Sequence, residues 1–542
     1  MQIPQSLLAK KLCLVVDDFQ GMRTMLRDML REGGATQIDL ASNGKEALHR
    51  LQEQKFDIVL CDYNLGPGKN GQQVLEEAKV RKLIGPACTW VMVTAEKASD
   101  GIMGAMEYQP DAYLIKPVTT DLLLSRLERI AVKKQAFGDI DRALTGKHYA
   151  KALKLCEEQL QYDKTNAAEL LRLKASILVT MGDEAAARTL YESVLGRREI
   201  AWARIGLGRI CFDDGDYEAA AGHFRTCIEA NAANMEAYDW LAKAEQYLGN
   251  LDQAEAVLTQ ALKLSPNSPT RQRNLGELAL RRGDLETADR AFRKSIAVGE
   301  HSIFKTADAY IGLAKVFGAT DRSDEAMKVL KTAVTQFNQD EVRLRAKSTE
   351  GLIHKRNEHL DAANAAANEV AQILATGTVQ ADEAASLEAA ELLLATGHKE
   401  AGIALLQSVV RNNHENEALL EQVKGVFAEA GMGEEGAGVV EGSRKEAVDA
   451  MNQGVLLARS GKLDEALEAM RSAKSEMAGN ARVLLNFAHV AISYMSSKGV
   501  DNMLLDECRQ ALYAAHKLAP ADKRYAQLSE NLTELEKSRP PA

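Results

Sequence analysis

Four short apolar runs in the first 120 residues each lead into a side chain that could do chemistry. The residues at the ends of these runs are, in chain order, Asp17 with Asp18, Asp62, Thr94 and Lys116. Runs of this length are typical of buried strands, and the carboxyl ends of parallel strands meet at one edge of a sheet, where α/β folds bind their ligands. We therefore expect three carboxylates, one hydroxyl and one ammonium to lie together. Such a group is suited to accepting a phosphoryl group.

The three carboxylates determine what else the predicted site needs. Held close together, they repel one another, and without a cation one of them is pushed toward protonation. Mg²⁺ prefers hard oxygen ligands, keeps part of its water shell and binds through one or two carboxylates together with phosphate oxygens. With such an ion present, Asp62 stays ionised and can attack phosphorus as a nucleophile. The ion and Lys116 then stabilise the transferred group, and Thr94 offers a hydroxyl to one of its oxygens.

Each of these residues also has an ordinary structural interpretation. Asp17 and Asp18 could cap the helix that follows them. Lys116 could be a surface lysine, and Thr94 could cap the next helix. Tyr113, three residues before Lys116, could be a core aromatic. All of these alternatives would have to hold at once for the site to be accidental, so the combination favours a phosphoacceptor site.

Helical patterns separate the apolar runs and define the elements that must position these side chains. The patterns cover residues 19–32, 44–53, 71–82 and 98–107, and a further short strand is expected at 38–41. Strands that alternate with helices at this spacing predict a parallel sheet with helices on both faces. Because crossovers are right-handed, the prediction is a doubly wound, five-stranded α/β domain over residues 11–132, after a tail of residues 1–10.

The first domain resembles the receiver domain of response regulators, which has the CheY-like fold. The resemblance rests on residues in the family's order: Asp17-Asp18, Asp62, Thr94-Ala95, Tyr113 and Lys116-Pro117. It implies that Asp62 is the phosphorylated residue and that a histidine kinase or phosphotransfer protein donates the phosphoryl group. It also implies a Mg²⁺ site formed by Asp18, Asp62 and the backbone carbonyl of Asn64. Asp17 would act on the ion through a bound water.

The resemblance also implies a switch. In the family the hydroxyl at the position of Thr94 moves to the phosphoryl group, and the aromatic at the position of Tyr113 turns inward. The trigger is an added charge of about −1.5 to −2 with three acceptor oxygens, which biases a bistable loop and helix face. Asn64 and Glu96 occupy positions where the family tunes the lifetime of the phosphoryl bond. Loop 65–70 is one residue longer than is common in the family.

Strand patterns end at about residue 119, and Ala, Leu and Glu then recur at helical spacing. Self-comparison gives a period of 34 residues in units 201–234, 235–268 and 269–302, with small residues at regular offsets. This pattern resembles the tetratricopeptide repeat (TPR), whose helix pairs stack into an all-α solenoid. Weaker units extend both ways, one of them after a four-residue insertion. We expect about eight to eleven helix pairs.

The predicted organisation of this second part has three segments. A TPR array is expected over residues 133–430, a Gly-rich break in the superhelix at 431–446 and C-terminal TPR-like helices at 447–535. One amphipathic helix, residues 119–135, would join the receiver to the array. The concave face could hold a peptide or helix of a partner protein, although its charges could equally serve only for solvation. The groove candidates are Ile205, Arg209, Phe212, Asp239, Lys243, Gln246, Arg273, Glu277 and Leu280.

Composition limits the remaining functions. The formal net charge of −10 argues against nucleic-acid binding, which requires a basic face. The seven cysteines show no metal-binding spacing and indicate reduced core thiols in a cytoplasmic protein. No stretch has the roughly 20 apolar residues that a membrane span requires, and the first residues do not resemble a signal peptide, so no membrane insertion is expected.

These expectations combine into a cytoplasmic response regulator in which Mg²⁺-dependent phosphorylation of Asp62 modulates a TPR scaffold that binds partner proteins. The signal would pass to the first repeats or to a homodimer contact. The chain is expected to be a phosphoacceptor rather than an enzyme. Two alternatives remain open: a TPR-based phosphatase that acts on other response regulators, and a constitutive assembly scaffold whose receiver serves only for docking.

Overall fold

The computed structural model describes residues 8–95, 110–134, 137–376, 379, 381–519 and 522–537. The predicted helix at 98–107 and Glu96 lie outside these residues. Among the described residues, no helix is long and apolar enough to cross a membrane. By its internal contacts the chain divides into two compact units, residues 1–179 with 184–309, and residues 180–183 with 310–542.

Five parallel strands form the sheet of the first domain, as predicted. They are β1 Leu12–Val16, β2 Gln37–Ala41, β3 Ile58–Asp62, β4 Thr89–Thr94 and β5 Ala112–Ile115. The spatial order is β2-β1-β3-β4-β5, so β1 lies between β2 and β3. Every residue of β3 and β4 is buried, which explains why these strands are continuous apolar runs rather than alternating ones.

Helices cover both faces of this sheet and create two separate cores. The helices are α1 Gln20–Glu32, α2 Gly44–Glu53, α3 Gly71–Val80 and α4 Thr120–Lys134. On one face, Leu26 of α1 and Leu123 of α4 pack in the same buried cluster as Val15. On the other face, Leu48 of α2 and Val74 of α3 are buried together with the strand residues whose side chains lie on that face of the sheet. This two-sided arrangement is the predicted doubly wound fold.

The first described residues depart from the expected tail. Leu8 is buried in the cluster formed by α1, α4 and the sheet. The backbone N–H of Lys11 donates to the carbonyl of Leu8 at 3.0 Å, which turns the chain into β1. The predicted tail of residues 1–10 is therefore wrong at its end, because one apolar residue before the first strand completes the core.

Helices make up the rest of the described chain. They are α5 Gly138–Thr145, α6 Tyr149–Tyr162, α7 Ala167–Thr180, α8 Glu184–Leu195, α9 Ala201–Asp213, α10 Tyr217–Ala230, α11 Met235–Tyr247, α12 Leu251–Leu264, α13 Pro269–Arg282, α14 Leu285–Gly299, α15 Ala307–Ala319, α16 Ser323–Phe337, α17 Asp340–Arg356, α18 Leu360–Ala375, α19 Glu383–Ala395, α20 Lys399–Asn412, α21 Glu417–Glu429, α22 Gly433–Arg459, α23 Leu463–Glu476, α24 Ala481–Lys498, α25 Asn502–Leu518 and α26 Lys523–Lys537.

The predicted period of 34 residues reappears in the starts of three successive helix pairs. Helices α9, α11 and α13 begin at Ala201, Met235 and Pro269. Small residues in these helices let the partner helix approach, because a Cβ added at Gly208 would lie 2.7 Å from the Phe224 ring. A larger side chain at this position would separate the two helices of the pair. The sequence periodicity thus records helix packing.

One connection between successive helix pairs is longer than its neighbours. Residues 231–234 and 265–268 are four-residue connections, whereas residues 300–306, between α14 and α15, form a seven-residue connection. This is the place where the repeat pattern contains the insertion noted in the sequence. We refer to residues 300–306 as the long connection.

The Gly-rich segment 431–446, predicted as a break, is instead helical over most of its length. Helix α22 is continuous from Gly433 to Arg459 and packs against helices on both sides of it in the chain. Gly436 is buried, and a Cβ there would lie 2.3 Å from the Phe427 side chain. The predicted break is therefore wrong, because at least this glycine serves close helix packing rather than chain flexibility.

Candidate phosphoacceptor site

The sheet topology brings the predicted site residues to one edge. Asp62 ends β3 and pairs with Val93 of β4, while Asp17 follows β1 directly. Thr94, the last residue of β4, accepts a hydrogen bond at its carbonyl from the backbone N–H of Lys116 at 2.8 Å. Because β1, β3, β4 and β5 are consecutive neighbours in the sheet, their carboxyl ends form one continuous row.

The three acids converge as predicted. Carboxylate oxygens of Asp17, Asp18 and Asp62 all lie within 4.8 Å of one another. Asp17 is fully buried and Asp62 is 7% exposed, whereas Asp18 is exposed. The cluster is therefore open to solvent on the side of Asp18 and closed on the side of Asp17.

One ammonium joins two of these acids. Lys116 Nζ lies 2.8 Å from Asp17 Oδ2 and 2.8 Å from Asp62 Oδ2. Its side chain is mostly buried, and the Lys116-Pro117 peptide bond is cis. The predicted lysine thus contacts the predicted phosphoacceptor directly.

The pKa values of Asp62 and of Lys116 are both raised, for different reasons. Burial raises the pKa of Asp62 above its ordinary value, and the nearby Asp17 adds to this, while the hydrogen bond and charge of Lys116 act against it. Burial acts to lower the pKa of Lys116, but its hydrogen bonds to the two acids and their negative charges together outweigh burial, so its pKa is raised. Three carboxylates face one ammonium, so the group carries excess negative charge that a further cation can neutralise.

The donor set fits a hard divalent cation. It consists of carboxylate oxygens within 4.8 Å of one another, with one exposed acid through which water can stay bound. Mg²⁺ binds such oxygen ligands and retains several waters. Asn64, whose carbonyl is the expected fourth ligand, lies exposed in the loop after β3, where its side-chain oxygen accepts from the Gly66 N–H at 3.3 Å.

The two predicted switch residues lie on neighbouring strands, and Tyr113 of β5 pairs with Met92 of β4, two residues before Thr94. Thr94 is buried. Tyr113 is half-buried and packs against the core cluster that contains Trp90 and Met92. Burial raises the pKa of Tyr113 to about 12, with a further contribution from Tyr63. The switch that the resemblance implies stays a prediction.

Two residues that position the acids were not identified from the sequence. The guanidinium of Arg23 donates to the carbonyl of Asp17 at 2.6 Å and to that of Asp18 at 2.9 Å. Gly71 packs so closely that a Cβ there would lie 1.9 Å from the carbonyl oxygen of Asp62. An arginine one turn into the helix after an acid pair, and a glycine opening the next helix, are signals that could have indicated them.

The predicted groove residues have mixed environments. Ile205 and Phe212 are buried in the core of the array, so their assignment to a groove surface is wrong. Asp239 accepts hydrogen bonds from Nε of Arg271 at 2.6 Å and from Nη2 of the same arginine at 2.9 Å, and these bonds link adjacent repeats. The other candidates are exposed or half-buried: Arg209, Lys243, Gln246, Arg273, Glu277 and Leu280.

Cations and aromatic rings contact each other on this part of the array. The guanidinium of Arg209 lies 5.1 Å from the centre of the Trp240 ring. Lys243 Nζ lies 4.7 Å from the centre of the Phe212 ring and 4.9 Å from that of Trp240. Such contacts are attractive even at exposed sites, so these cations are partly held by the array itself.

Comparison with known proteins agrees with both halves of the chain. A family described as the response regulator receiver domain matches residues 13–128, and one described as the tetratricopeptide repeat matches residues 172–234 and 241–297. Chemotaxis protein CheY of Pseudomonas aeruginosa is 33% identical over 117 residues, which are 22% of this chain and 93% of that protein. CheY-3 of Vibrio cholerae is 32% identical over 117 residues, covering 22% and 88%.

One solved structure is also similar to part of this chain. The CheY-like receiver domain protein from Methanospirillum hungatei is 25% identical, and the match covers 24% of this chain and 98% of that chain with a TM-score of 0.22. The paired acids, the acid at the end of β3 and the lysine after β5 thus occur in a domain whose sequence matches the receiver family almost end to end. The chain belongs to the response-regulator receiver family and carries tetratricopeptide repeats after its receiver domain.

Proposed function

We propose that this chain is a response regulator that is phosphorylated on Asp62 and whose phosphorylation modulates protein binding by the repeats. The observation that carries the proposal is the 2.8 Å contact of Lys116 Nζ with Asp62 Oδ2 inside the acid cluster. A histidine kinase or phosphotransfer protein would supply the phosphoryl group. The chain acts as a phosphoacceptor in this proposal rather than as an enzyme.

The site residues have separate roles in the transfer. A carboxylate oxygen of Asp62 forms the new bond to phosphorus, while the bond from phosphorus to the donor's nitrogen breaks and the donor keeps the electron pair. Lys116 contacts an oxygen of the transferred group, and the Thr94 hydroxyl donates to another. Asp18, Asp62 and the Asn64 carbonyl would hold Mg²⁺, with Asp17 acting through water. The ion, when bound, offsets the combined negative charge of acids and phosphoryl oxygens.

A direct contact supports communication between the receiver and the first repeat helix. The Asp141 carboxylate of α5 accepts a hydrogen bond from the backbone N–H of Ala87, in the connection before β4. Asp141 is half-buried, and burial raises the pKa of its carboxyl. Lys134, at the end of α4, also ion-pairs with Asp111 beside β5 at 2.7 Å. A rearrangement of β4 or β5 would therefore act on α5 through Asp141 and on the end of α4 through Lys134.

Phosphorylation on Asp62 can be tested by Phos-tag electrophoresis after incubation with acetyl phosphate and Mg²⁺. We expect one shifted band in the wild type, its loss in Asp62→Asn and its loss when EDTA removes the metal. Asp28→Asn is the matched control, because Asp28 is exposed on α1 and forms surface ion pairs with Arg27 at 2.9 Å and Arg31 at 3.9 Å. A shifted band that persists in Asp62→Asn would contradict the assignment.

The effect on the repeats needs a separate experiment. Capture of partner proteins by the full chain is compared with and without beryllofluoride and Mg²⁺, in the wild type and in Asp62→Asn. We expect the set or amount of captured protein to change only in the wild type. Equal capture under all conditions would favour a constitutive scaffold. The experiment belongs in a cytoplasmic extract, since all seven cysteines are buried and none forms a disulfide, as expected in a reducing compartment.

A further inference from the structure

The loop that follows Asp62 contacts the long connection of the repeat array. Lys69 Nζ, in the β3–α3 loop, donates a hydrogen bond to the backbone carbonyl of His301. The same ammonium ion-pairs with Glu77 Oε2 at 2.9 Å. Glu77 is buried and pairs also with Arg81 at 2.9 Å. Lys69 is therefore held by α3 while it reaches residue 301, which is 232 positions away in the chain.

A second bond joins α3 itself to the long connection. The Ser302 hydroxyl donates to Glu76 Oε2 at 3.2 Å. Ser302 is buried, and its hydroxyl oxygen accepts from the Phe304 N–H at 3.1 Å. The Ser302 N–H donates to the Gly299 carbonyl at 3.0 Å. These internal bonds order the long connection, so it offers a formed surface to the receiver.

Two cavities flank the contact. One, of about 390 Å³, lies between the start of α3 and the connection 265–268, with Tyr63, Gln72 and Phe304 among its walls. The other, of about 640 Å³, lies between α2, the β3–α3 loop and the exposed His301. Interfaces packed to the density of a protein core do not change readily, whereas space beside a few polar bonds allows the loop to move.

The same loop forms the backbone around the phosphoacceptor. The Gly71 N–H donates to the Tyr63 carbonyl at 2.8 Å, which closes the loop on the end of β3. Gly71 itself packs against the Asp62 carbonyl, and Asn64 lies inside the closed loop. A change at the Asp62 side chain should therefore move the β3–α3 loop, and Lys69 lies near the far end of this loop.

We propose that the β3–α3 loop and the first turns of α3 dock on the long connection within one chain, and that phosphorylation of Asp62 releases this docking. The proposal rests on the proposed function, because it requires Asp62 to be the phosphoacceptor. The described contacts belong to the chain with an unmodified Asp62. A phosphoryl group adds three oxygens and about −1.5 to −2 charge at the root of the loop, and the loop must rearrange around them. By thermodynamic linkage, docking in turn disfavours phosphorylation.

Docking can be measured by cross-linking in the full-length chain. Pro67→Cys and His301→Cys place two thiols at exposed positions on the walls of one cavity. All native cysteines are buried, so a short, water-soluble bis-maleimide reacts mainly with the introduced pair. We expect an intramolecular cross-link in the double variant and none in either single variant. A double variant that behaves like the single variants would overturn docking.

Release is measured by adding beryllofluoride and Mg²⁺ to the same double variant. We expect the cross-linking rate to fall about threefold or more, and to stay constant when Asp62→Asn is also present. Fluorine NMR of bound beryllofluoride separates the two ways of failing. A bound signal with an unchanged cross-linking rate would overturn the release. Absence of a bound signal would overturn the proposed function and the release together, while the cross-link would still report docking.

Variants that weaken the docking contact should be phosphorylated faster than the wild type. Lys69→Met removes the donor to residue 301, and Ser302→Ala removes the donor to Glu76. We expect each variant to be phosphorylated by acetyl phosphate about threefold faster than the wild type, because the competing docked state is lost. Lys45→Met is the control, since Lys45 is an exposed lysine beside the same cavity. Equal rates in all three variants and the wild type would contradict coupling.

Discussion

A lysine shared by two buried acids is the central feature at the scale of single residues. Lys116 contacts Asp17 and Asp62 at equal distances, and both acids have little access to solvent. A divalent ion that enters from the side of Asp18 would interact with the same carboxylates as this ammonium. The lysine is therefore both a substitute for the ion and its competitor.

Removal of this ammonium should strengthen metal binding while it weakens phosphorylation. In Lys116→Met, we expect the affinity for Mg²⁺ to rise about threefold to tenfold, because the acids lose a competing positive charge at contact distance. Phosphorylation by acetyl phosphate should fall about a hundredfold, since no ammonium stabilises the transferred group. Isothermal titration calorimetry and Phos-tag electrophoresis measure the two effects, with Lys10→Met as the surface control.

The opposite result in calorimetry would be informative. Weaker binding of Mg²⁺ by Lys116→Met would mean that the lysine holds Asp17 and Asp62 in place for the ion. That outcome would contradict competition between the two cations.

Gly71 leads to a second prediction at this scale. A methyl group there would lie 1.9 Å from the backbone oxygen of Asp62, which cannot move without shifting β3. We expect Gly71→Ala to lower the local free energy of unfolding by about 2 kcal/mol. Hydrogen exchange of the β3 amides measures this change. Gly222→Ala is the control, because Gly222 is exposed in α10 with open space around it, and there we expect a gain of about 0.5–1 kcal/mol.

At the scale of helices and strands, the ends of the strands were the most predictable feature. Asp17, Asp62 and Thr94 could be placed from sequence because each directly follows or ends a buried apolar run, and parallel strands bring such ends together. Arg23 and Gly71 do not end apolar runs, so their signals in the sequence are weaker. Their contacts with the acids also depend on where α1 and α3 leave the sheet.

The segment 431–446 shows the limit of composition as a guide. Its glycines indicated a break, since glycine is unfavourable within a helix by about 1 kcal/mol relative to alanine. In the structure, Gly436 is buried against Phe427, and close helix packing there requires the missing Cβ. Tertiary contact therefore decided the structure of this segment against its local propensity.

Two alanine substitutions in α22 test this interpretation. Gly436→Ala should lower the free energy of unfolding of the helix pair α21–α22 by about 1–3 kcal/mol, because the methyl group would overlap the Phe427 side chain. Gly438→Ala, at an exposed position with open space, should raise it by about 0.5–1 kcal/mol. Hydrogen exchange of residues 417–459 in urea measures both. A loss of stability in Gly438→Ala would indicate that this segment is not helical in solution.

At the scale of the whole molecule, residues 1–179 and 184–309, which include the receiver, form one compact unit. The array meets the receiver at α5 through Asp141 and again at the long connection through Ser302. Neither contact could be predicted from the sequence, because the partners lie far apart in the chain and the residues involved are ordinary surface types. The four-residue insertion before residue 307 was visible, but its purpose was not.

The effect of phosphorylation should be local within the array. In a solenoid each repeat contacts mainly its neighbours, so a disturbance at one pair weakens with distance along the chain. With beryllofluoride and Mg²⁺ present, we expect hydrogen exchange to change about twofold or more in residues 138–145 and 299–306 and to stay constant in residues 481–518. Mass spectrometry of the full chain, with Asp62→Asn as control, measures this. A uniform change along all repeats would contradict local transmission.

Helix α22 has a consequence for how this array tolerates changes in length. Its 27 residues serve two successive helix pairs, so no loop separates them. One residue inserted near the middle of the helix would turn everything beyond it by about 100° and advance it by about 1.5 Å. Four inserted residues would return the helices beyond the insertion to within about 40° of their original orientation. Insertions and deletions should therefore be tolerated at the turns before Gly433 and after Arg459. Within α22 the number of residues should stay constant, because it sets which way the following helices face.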